Sequence, residues 1–230
     1  NGHYVDGPTL KPGFESFVGM HQIPVVHGMT VGEYAKMVNG QFWLKDSMHC
    51  NLSIVPIQGY AHTMVFSIPV PPSPNLPNDE AIRLYPSLCF FEGTTVSVGR
   101  GTDKPFQQIG APWLSKEFAD YSFTPTPNAG AKDPKYNGEK CYGLDLTSFA
   151  KGFLMHYNKL YLYWLLESYA VADDKEHYFS SFFDKLAGSE NLRTQIMTGA
   201  SEEEIRESWQ ADIVAFKKIR GQYLLYPDFE

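Results

Sequence analysis

The stretch Leu88-Cys89-Phe90-Phe91-Glu92-Gly93-Thr94-Thr95-Val96-Ser97-Val98-Gly99-Arg100-Gly101-Thr102 decides how the rest of the chain is interpreted. Its apolar beginning, Leu88 to Phe91, predicts a short buried strand. The glycines that follow let the backbone take positive φ and approach a ligand closely. Hydroxyl groups, a carboxylate and a guanidinium supply the few polar contacts that orient a ligand. The stretch therefore predicts a ligand site at a strand end, with Glu92 and Arg100 as its charged groups.

The spacing of these glycines excludes the common phosphate-binding loops. A Walker loop ends in Gly-Lys-Ser/Thr, and a dinucleotide fingerprint reads G-x-G-x-x-G at the start of a helix. Neither pattern occurs here. A purely structural interpretation remains open, in which the glycines make turns and Glu92 pairs with Arg100, because paired charges are often structural.

Composition narrows the classes of partner. Hydrophobic residues make up 43% and aromatic residues 15% of the 230 residues, which is typical of a folded chain. The net charge of −7 and the absence of a basic run exclude nucleic acid, which requires clustered cations. The longest apolar run, Leu160 to Leu166, is too short to span a membrane. Three cysteines without C-x-x-C spacing exclude a zinc ribbon and give no disulfide framework.

The pattern of elements predicts an α/β (α+β) fold, with a small mixed sheet and flanking helices followed by a C-terminal helical segment. Residues 1–150 are expected to be mixed α/β and residues 151–230 mainly helical. Capping boxes at Thr30/Glu33 and Ser201/Glu204 predict helix starts. Strands are predicted at 51–57 and 141–146, and helices at 79–85, 112–121, 154–172, 175–186, 189–197 and 201–220. In the last helix one face is expected to be core, formed by Ile205, Trp209, Ile213 and Phe216.

The remaining polar residues favour a carbohydrate ligand. The seven histidines include no H-x-x-x-H or H-E-x-x-H pair, so no metal site is predicted, and no cofactor motif occurs. Glu33 is assigned to its capping box rather than to catalysis. His27 lies in a glycine-flanked turn, where it can face solvent, cap a helix or serve a site. Carboxylates with aromatic residues suit a glycosidase, which needs two carboxyl groups at the scissile bond.

A series of motifs spread along the chain resembles the bacterial exo-β-N-acetylmuramidases. The motifs occur in order and cover nearly the whole chain: Gly7-Pro8, Ser16-Phe17-Val18-Gly19, Ile23-Pro24, His27-Gly28-Met29-Thr30, Pro72-Ser73-Pro74-Asn75-Leu76-Pro77, Glu92-Gly93-Thr94, Gly99-Arg100-Gly101-Thr102, Pro105-Phe106, Ile109-Gly110-Ala111-Pro112-Trp113, Phe183-Asp184-Lys185-Leu186-Ala187-Gly188 and Tyr223-Leu224-Leu225-Tyr226.

The resemblance implies a two-domain enzyme with its active site in the cleft between a Rossmann-like N-terminal domain and a C-terminal α/β domain. Residues 1–230 resemble the C-terminal, substrate-side part only. The resemblance thus implies that the N-terminal domain is absent here, together with a principal catalytic glutamate, and that the chain alone is inactive. Its expected partners are a peptidoglycan-derived sugar and its own N-terminal domain. The implied location is secreted, periplasmic or associated with the cell envelope.

The implied substrate is a non-reducing-terminal N-acetylmuramic acid, whose lactyl group carries a carboxylate. Arg100 is expected to bind that carboxylate, since a guanidinium matches it in a bidentate fashion. Glu92 and His27 are the expected catalytic residues. Glu92 would be the second carboxyl group or would hold a sugar hydroxyl, and His27 would hydrogen-bond the substrate or orient Glu92. Further substrate contacts are expected from Asn75, Thr94, Thr102 and Trp113.

Two other functions remain open on the sequence. The chain would also fit a non-catalytic module that binds cell-wall sugars, or a hydrolase of another sugar. Retention or inversion depends on the separation of the two carboxyl groups, which the sequence does not supply.

Overall fold

The computed structural model describes residues 3–115 and 119–230. These residues form five strands and eight α-helices. The strands are β1 (Asp6–Thr9), β2 (Pro24–Val26), β3 (Gln108–Ala111), β4 (Tyr121–Phe123) and β5 (Cys141–Asp145). The helices are α1 (Val31–Gly40), α2 (Asp79–Leu88), α3 (Thr147–Gly152), α4 (Tyr163–Ala170), α5 (Phe183–Ala187), α6 (Asn191–Met197), α7 (Glu202–Ser208) and α8 (Gln210–Arg220).

The strands form two small sheets, which confirms the α/β fold class. Strands β1 and β2 pair antiparallel, and β5 lies between β3 and β4, antiparallel to both. In the second sheet Gly110 faces Gly143, and Phe123 faces Cys141. All these strands precede residue 146, and the elements that follow are helices. No helix among the described residues is long and apolar enough to cross a membrane.

One hydrophobic core joins the sheet-bearing and helical parts of the chain. Helix α2 contributes Leu84 and Leu88, both fully buried, and the 3-10 helix Cys89–Gly93 adds Phe90 and Phe91. The predicted apolar face of the last helical region is confirmed, because Ile205, Trp209, Ile213 and Phe216 are all at most 4% exposed in the same cluster. The segment after Phe91 therefore begins from a rigid, buried base.

Both predicted capping boxes are present. The amide of Glu33 donates to the Thr30 hydroxyl at 3.3 Å, and the Thr30 amide donates to Glu33 Oε2 at 2.7 Å. The buried carboxylate also accepts from the Leu225 amide at 2.8 Å and lies 3.0 Å from His62 Nε2. Burial opposes ionisation of Glu33, but the hydrogen bonds from Leu225 and Thr30 lower its pKa. Glu33 is thus a structural residue, as its capping box predicted.

Arg220 joins the end of α8 to the turn before α1. Its guanidinium is 1% exposed and makes a bidentate contact with Asp228, with both N–O distances at 2.7 Å. The same group donates to the Gly28 carbonyl at 2.7 and 3.2 Å, and its carbon lies 4.6 Å from the centre of the Phe229 ring. The Arg220 contact fixes residues near 28 against residues 220–229.

The prediction of a strand at Leu88–Phe91 is wrong. Leu88 is the last residue of α2, and Cys89–Gly93 continues as a 3-10 helix. A four-residue apolar run fits a buried helical segment as well as a buried strand. Here the helix capped by Asn78, whose side chain accepts from the Ala81 amide, runs directly into it.

Other boundaries also differ from the sequence patterns. Residues 51–57 form no strand, since they lie on the surface without a partner strand among the described residues. The helix expected at 112–121 is a turn at its start and leads to β4 at its end, while residues 116–118 lie outside the described residues.

The C-terminal helices are shorter than their apolar patterns predicted. Of the helix predicted at 154–172, only α4 forms. Of the helix predicted at 175–186, only the part from Phe183 onward is helical, as the beginning of α5. The helix predicted at 189–197 begins at Asn191. The pattern over 201–220 is divided into α7 and α8 at Trp209, whose φ of −108° and ψ of 0° leave the helical range. Because α7 and α8 share one apolar face, the spacing of apolar residues continues across Trp209. The sequence pattern therefore does not reveal the break.

Candidate functional site

The glycine-rich segment after the 3-10 helix turns back on itself. Gly99 and Gly101 have φ values of +73° and +85°, in the left-handed region that favours glycine. Ser97 pairs with Gly110 at the edge of β3, with N–O distances of 2.8 and 3.0 Å. The turn therefore brings Arg100 back beside Glu92, eight positions earlier in the chain.

Glu92 and Arg100 form a partly exposed ion pair at the mouth of a small cavity. Glu92 Oε2 lies 3.3 Å from Arg100 Nη1, and the two side chains are 25% and 42% exposed. The cavity has a volume of about 100 Å³, and Ser97, Asp133 and Lys135 are among its other lining residues. Both interpretations of the segment are thus represented, because the ion pair exists and it also faces an open concavity.

The charges around this cavity shift one another's protonation. Burial raises the pKa of Glu92, while the positive charges of Arg100 and Lys135 oppose that rise. Burial likewise lowers the pKa of Lys135 to about 8, against the attraction of Glu92. Arg100 Nε is buried and has no hydrogen-bond partner within 3–115 and 119–230. The cavity therefore holds a carboxyl group that burial favours in its neutral form and a guanidinium with an unused donor.

Asn75 reaches the same place from the proline-rich loop. Its amide nitrogen donates to the Gly130 carbonyl at 2.8 Å, and Arg100 Nη2 lies 3.5 Å from the same oxygen. Gly130 belongs to the loop between β4 and β5, so three separate loops meet at Arg100. The structure brings Asn75 to the site, and its predicted contact with substrate stays a prediction.

Thr94 and Thr102 shape the segment from within. The Thr94 hydroxyl donates to the Phe91 carbonyl at 3.0 Å and accepts from the Val96 amide at 3.1 Å. The Thr102 hydroxyl donates to the Gly99 carbonyl and accepts from Gln108 Nε2, both at 2.7 Å. Both hydroxyls thus have structural partners, and their expected substrate contacts stay predictions.

Trp113 forms a wall of the core near the site. Its ring lies 6.3 Å from that of Tyr178 in an edge-to-face arrangement, and the side chain packs against the main core. Trp113 does not line the small cavity around Glu92. The structure gives it a packing role, and its predicted sugar contact stays untested.

His27 belongs to a different neighbourhood from Glu92. Its Nδ1 accepts from the Met29 amide at 3.2 Å, and its ring stacks on Tyr34 at 5.4 Å. Burial lowers the pKa of His27 to about 4, with a smaller contribution from Arg220. Within the described ranges no contact joins His27 to Glu92, so an orienting role has no structural support, and its catalytic role stays a prediction.

The depressed pKa of His27 predicts that the protein loses stability in mild acid. Between pH 6.5 and about 4 the unfolded chain binds a proton at His27 that the folded chain does not, so the free energy of unfolding falls as pH falls. The full effect is about 3 kcal/mol. Urea unfolding at a series of pH values should show a shallower acid dependence in His27→Gln, while the exposed control His156→Gln keeps the wild-type slope. Equal slopes in all three proteins would contradict the assignment.

A second, larger cavity of about 510 Å³ lies on another part of the molecule. It is bounded by the surface segment at 57–68, one face of α2 and residues 154–159, and it shares no lining residue with the cavity at Glu92. Its polar groups include Tyr60, Arg83 and Lys159. Neither cavity contains a metal cluster, since no group of three or more His, Cys, Asp or Glu side chains among the described residues is placed to hold an ion.

Small antiparallel sheets surrounded by helices, with a charged concavity on a glycine-rich turn, define an α/β protein with a preformed polar site. The chain belongs to the exo-β-N-acetylmuramidase NamZ family, because residues 83–226 match the model of its C-terminal domain and residues 1–80 match the model of its N-terminal domain. It is 35% identical over 246 residues to the peptidoglycan β-N-acetylmuramidase NamZ of Bacillus subtilis (strain 168). The family predicted from the sequence motifs is therefore confirmed.

Solved structures show the same fold. A DUF1343 family protein from Bacteroides fragilis is 43% identical, with a TM-score of 0.94 over 99% of this chain and 64% of that chain. A second DUF1343 protein of that organism is 25% identical, with a TM-score of 0.77 over 98% of this chain and 63% of that chain. The chain spans 56% of the length of the Bacillus relative. The expectation that only the C-terminal part is represented is not confirmed, because the N-terminal domain model matches as well.

Sequence analysis did not identify the loop at 124–140 as part of the site. None of its residues is among the site residues predicted above, yet it supplies Gly130, Asp133 and Lys135. One local signal for a site role is the pair Lys135-Tyr136. It places a lysine beside an aromatic residue in a loop of mainly small and polar residues. That signal does not say which distant backbone the pair contacts.

Proposed function

We propose that this chain provides the substrate side of a glycosidase that releases non-reducing-terminal N-acetylmuramic acid from peptidoglycan fragments. Membership of the NamZ family supports the reaction class. The observation that carries the proposal is the open concavity in which Glu92 and Arg100 meet at 3.3 Å. A carboxyl group and a guanidinium that line one concavity are groups that an acidic sugar requires.

Arg100 would select the substrate. N-acetylmuramic acid differs from N-acetylglucosamine by its lactyl ether, which carries a carboxylate. A guanidinium binds a carboxylate through two parallel N–H donors, and the Arg100 side chain is 42% exposed, so part of it can meet a ligand. The neighbouring Gly130 carbonyl, bonded by Asn75, holds the outer edge of the guanidinium in place.

Glu92 would provide one of the two carboxyl groups of glycoside hydrolysis. A general acid needs a pKa raised toward the working pH so that it carries its proton. Burial raises the pKa of Glu92, as that role requires. A catalytic or sugar-binding role for His27 would lie apart from the cavity at Glu92, since the contacts of His27 are with Met29 and Tyr34.

Binding selectivity tests the proposal on the chain itself. Isothermal titration with N-acetylmuramic acid and N-acetylglucosamine should show a preference for the acid sugar. Arg100→Met should weaken binding of the acid sugar by about 10- to 100-fold, the value of a charge-assisted contact, and leave N-acetylglucosamine unaffected. Lys132→Met, an exposed cation of the nearby loop, is the matched control and should bind normally.

Hydrolysis distinguishes an enzyme from a binding module. A chromogenic β-N-acetylmuramide should be cleaved by the protein, or by its family-length form, and Glu92→Gln should be inactive while still binding the sugar. Binding without cleavage in any form would favour a cell-wall binding module. Equal affinity for both sugars, unchanged in Arg100→Met, would refute the proposal.

The proposed substrate favours a location at the cell envelope. Peptidoglycan fragments arise there, so we propose a secreted or envelope-associated location. Fractionation of producing cells with an antibody against this chain tests it, and recovery solely with the cytoplasmic fraction would reject it.

A further inference from the structure

The dipeptide Lys135-Tyr136 holds the backbone of the glycine-rich segment. The Lys135 ammonium donates to the carbonyls of Thr94 and Val96, the latter at 3.1 Å. The Tyr136 hydroxyl donates to the Thr95 carbonyl at 2.5 Å. Three successive carbonyls, immediately after Glu92 and Gly93, are therefore satisfied by two side chains of another loop.

The donors to these three carbonyls come from another loop. Backbone carbonyls held away from water need a partner, and side chains can supply it. Here a charged donor serves two of them, and hydrogen bonds from a charged group are the stronger kind. Tyr136 itself has φ of +60°, an uncommon conformation that a non-glycine residue adopts at a cost. The loop thus bears local strain where it presents these two donors.

The Lys135 ammonium also lies within the charge cluster of the cavity. It lines the cavity together with Glu92, Arg100 and Asp133, and it attracts the first while it is repelled by the second. Lys135 is exposed as a residue, and its ammonium is held against the protein by its contacts with the Thr94 and Val96 carbonyls. Burial raises the pKa of Tyr136, which favours its neutral hydroxyl form. Lys135 is therefore a group beside Glu92 that loses its positive charge as the pH rises through about 8.

We propose that Lys135 is a positioning residue for this site, which fixes the backbone that carries Glu92 and Arg100 and places a positive charge beside the Glu92 carboxyl group. The role in sugar binding rests on the proposed function, whereas the effect on Glu92 does not. Loss of the ammonium proton weakens two charge-assisted hydrogen bonds and removes a positive neighbour of Glu92.

Titration of Glu92 by carbon NMR tests the charge effect directly. In protein labelled with ¹³C at glutamate side-chain carboxyl groups, Lys135→Met should raise the titration midpoint of Glu92 by about 0.5–1 pH unit. Lys135→Gln retains an N–H donor without the charge and should give the same rise. Lys135→Arg retains the charge and should titrate like wild type, as should the control Lys132→Met.

Sugar binding then tests the positioning role. Below pH 7, Lys135→Met and Lys135→Gln should bind N-acetylmuramic acid about fivefold more weakly, the equivalent of a lost hydrogen bond. Wild-type binding should weaken as pH rises through about 8, where Lys135 loses its proton. In Lys135→Arg this alkaline weakening should disappear, because guanidinium stays protonated.

The outcomes separate this inference from the proposed function. An unchanged Glu92 midpoint in both neutral variants overturns the inference, whatever binds. A raised midpoint in a protein that binds neither sugar upholds the charge role of Lys135 and refutes the carbohydrate function. If Lys135→Met does not fold, Lys135→Gln and Lys135→Arg still decide the question, since both retain donors to Thr94 and Val96.

Discussion

Replacement of Gly93 with alanine is expected to lower the free energy of unfolding by about 3 kcal/mol, the upper range for overpacking a rigid core. A Cβ atom at this position would lie 2.5 Å from the Cα and 2.7 Å from the N of Phe183. Both are backbone atoms of α5, so no side-chain rotation relieves the clash. Because the Gly93 carbonyl also accepts from the Ser180 amide at 2.8 Å, the two segments cannot separate without losing that bond. Urea denaturation followed by tryptophan fluorescence measures the change.

Gly152→Ala is the matched control for this substitution. Gly152 ends α3 on the surface, and an added Cβ would have no atom within 4 Å. Its stability should stay within about 0.5 kcal/mol of wild type. A similar small change in Gly93→Ala would show that α5 is not packed against the base of the Glu92 segment as described.

Arg220→Met is expected to cost about 3–5 kcal/mol, because one partner of a buried ion pair is removed. Asp228 would be left without its bidentate partner, and the Gly28 carbonyl without its donors. The hydrogen bonds of Arg220 lower the pKa of Asp228, so wild-type stability from this pair is present above the ordinary aspartate pKa and is lost as pH falls below it. The variant should therefore be less stable at pH 7 and less sensitive to strong acid.

The comparison with Arg193→Met isolates the effect of burial. Arg193 makes the same two-point contact with Asp184, at 2.9 Å for both N–O pairs, but its side chain is 29% exposed. Its replacement should cost about 1 kcal/mol or less, as for surface pairs. Equal losses in the two variants would mean that burial of Arg220 adds nothing to stability.

Local signals in the sequence predicted local structure well. Helices begin directly after Thr30 and Ser201, as their capping boxes predicted. A capping box is a local signal, because its own side chains bind the free backbone amides at the helix start. The resemblance to the muramidase family, read from motifs scattered over the chain, was confirmed by the family models. Glu92 and Arg100, singled out from one glycine-rich stretch, are in contact.

Features that depend on distant partners were not predictable in the same way. The run Leu88–Phe91 is buried, as expected, but whether it is strand or helix depends on α2 before it and α5 against it. His27 and Glu92 both occur in motifs of one family, but His27 contacts Met29 and Glu92 contacts Arg100. Their spacing in the sequence does not predict that they lie in separate places. Lys135 acts on carbonyls about 40 positions earlier, and such a contact leaves no periodic pattern.

The contacts of Glu33 and Arg220 bear on the order in which the chain is made. Glu33 accepts from the Leu225 amide, and the Gly28 carbonyl accepts from Arg220, each across 192 positions. During translation the segment around α1 emerges early, but these partners emerge only after nearly two hundred more residues. In the nascent chain, the segment around α1 therefore lacks these hydrogen-bond partners until they are synthesised. If translation stalled before residue 220, α1 would be accessible to chaperones and proteases.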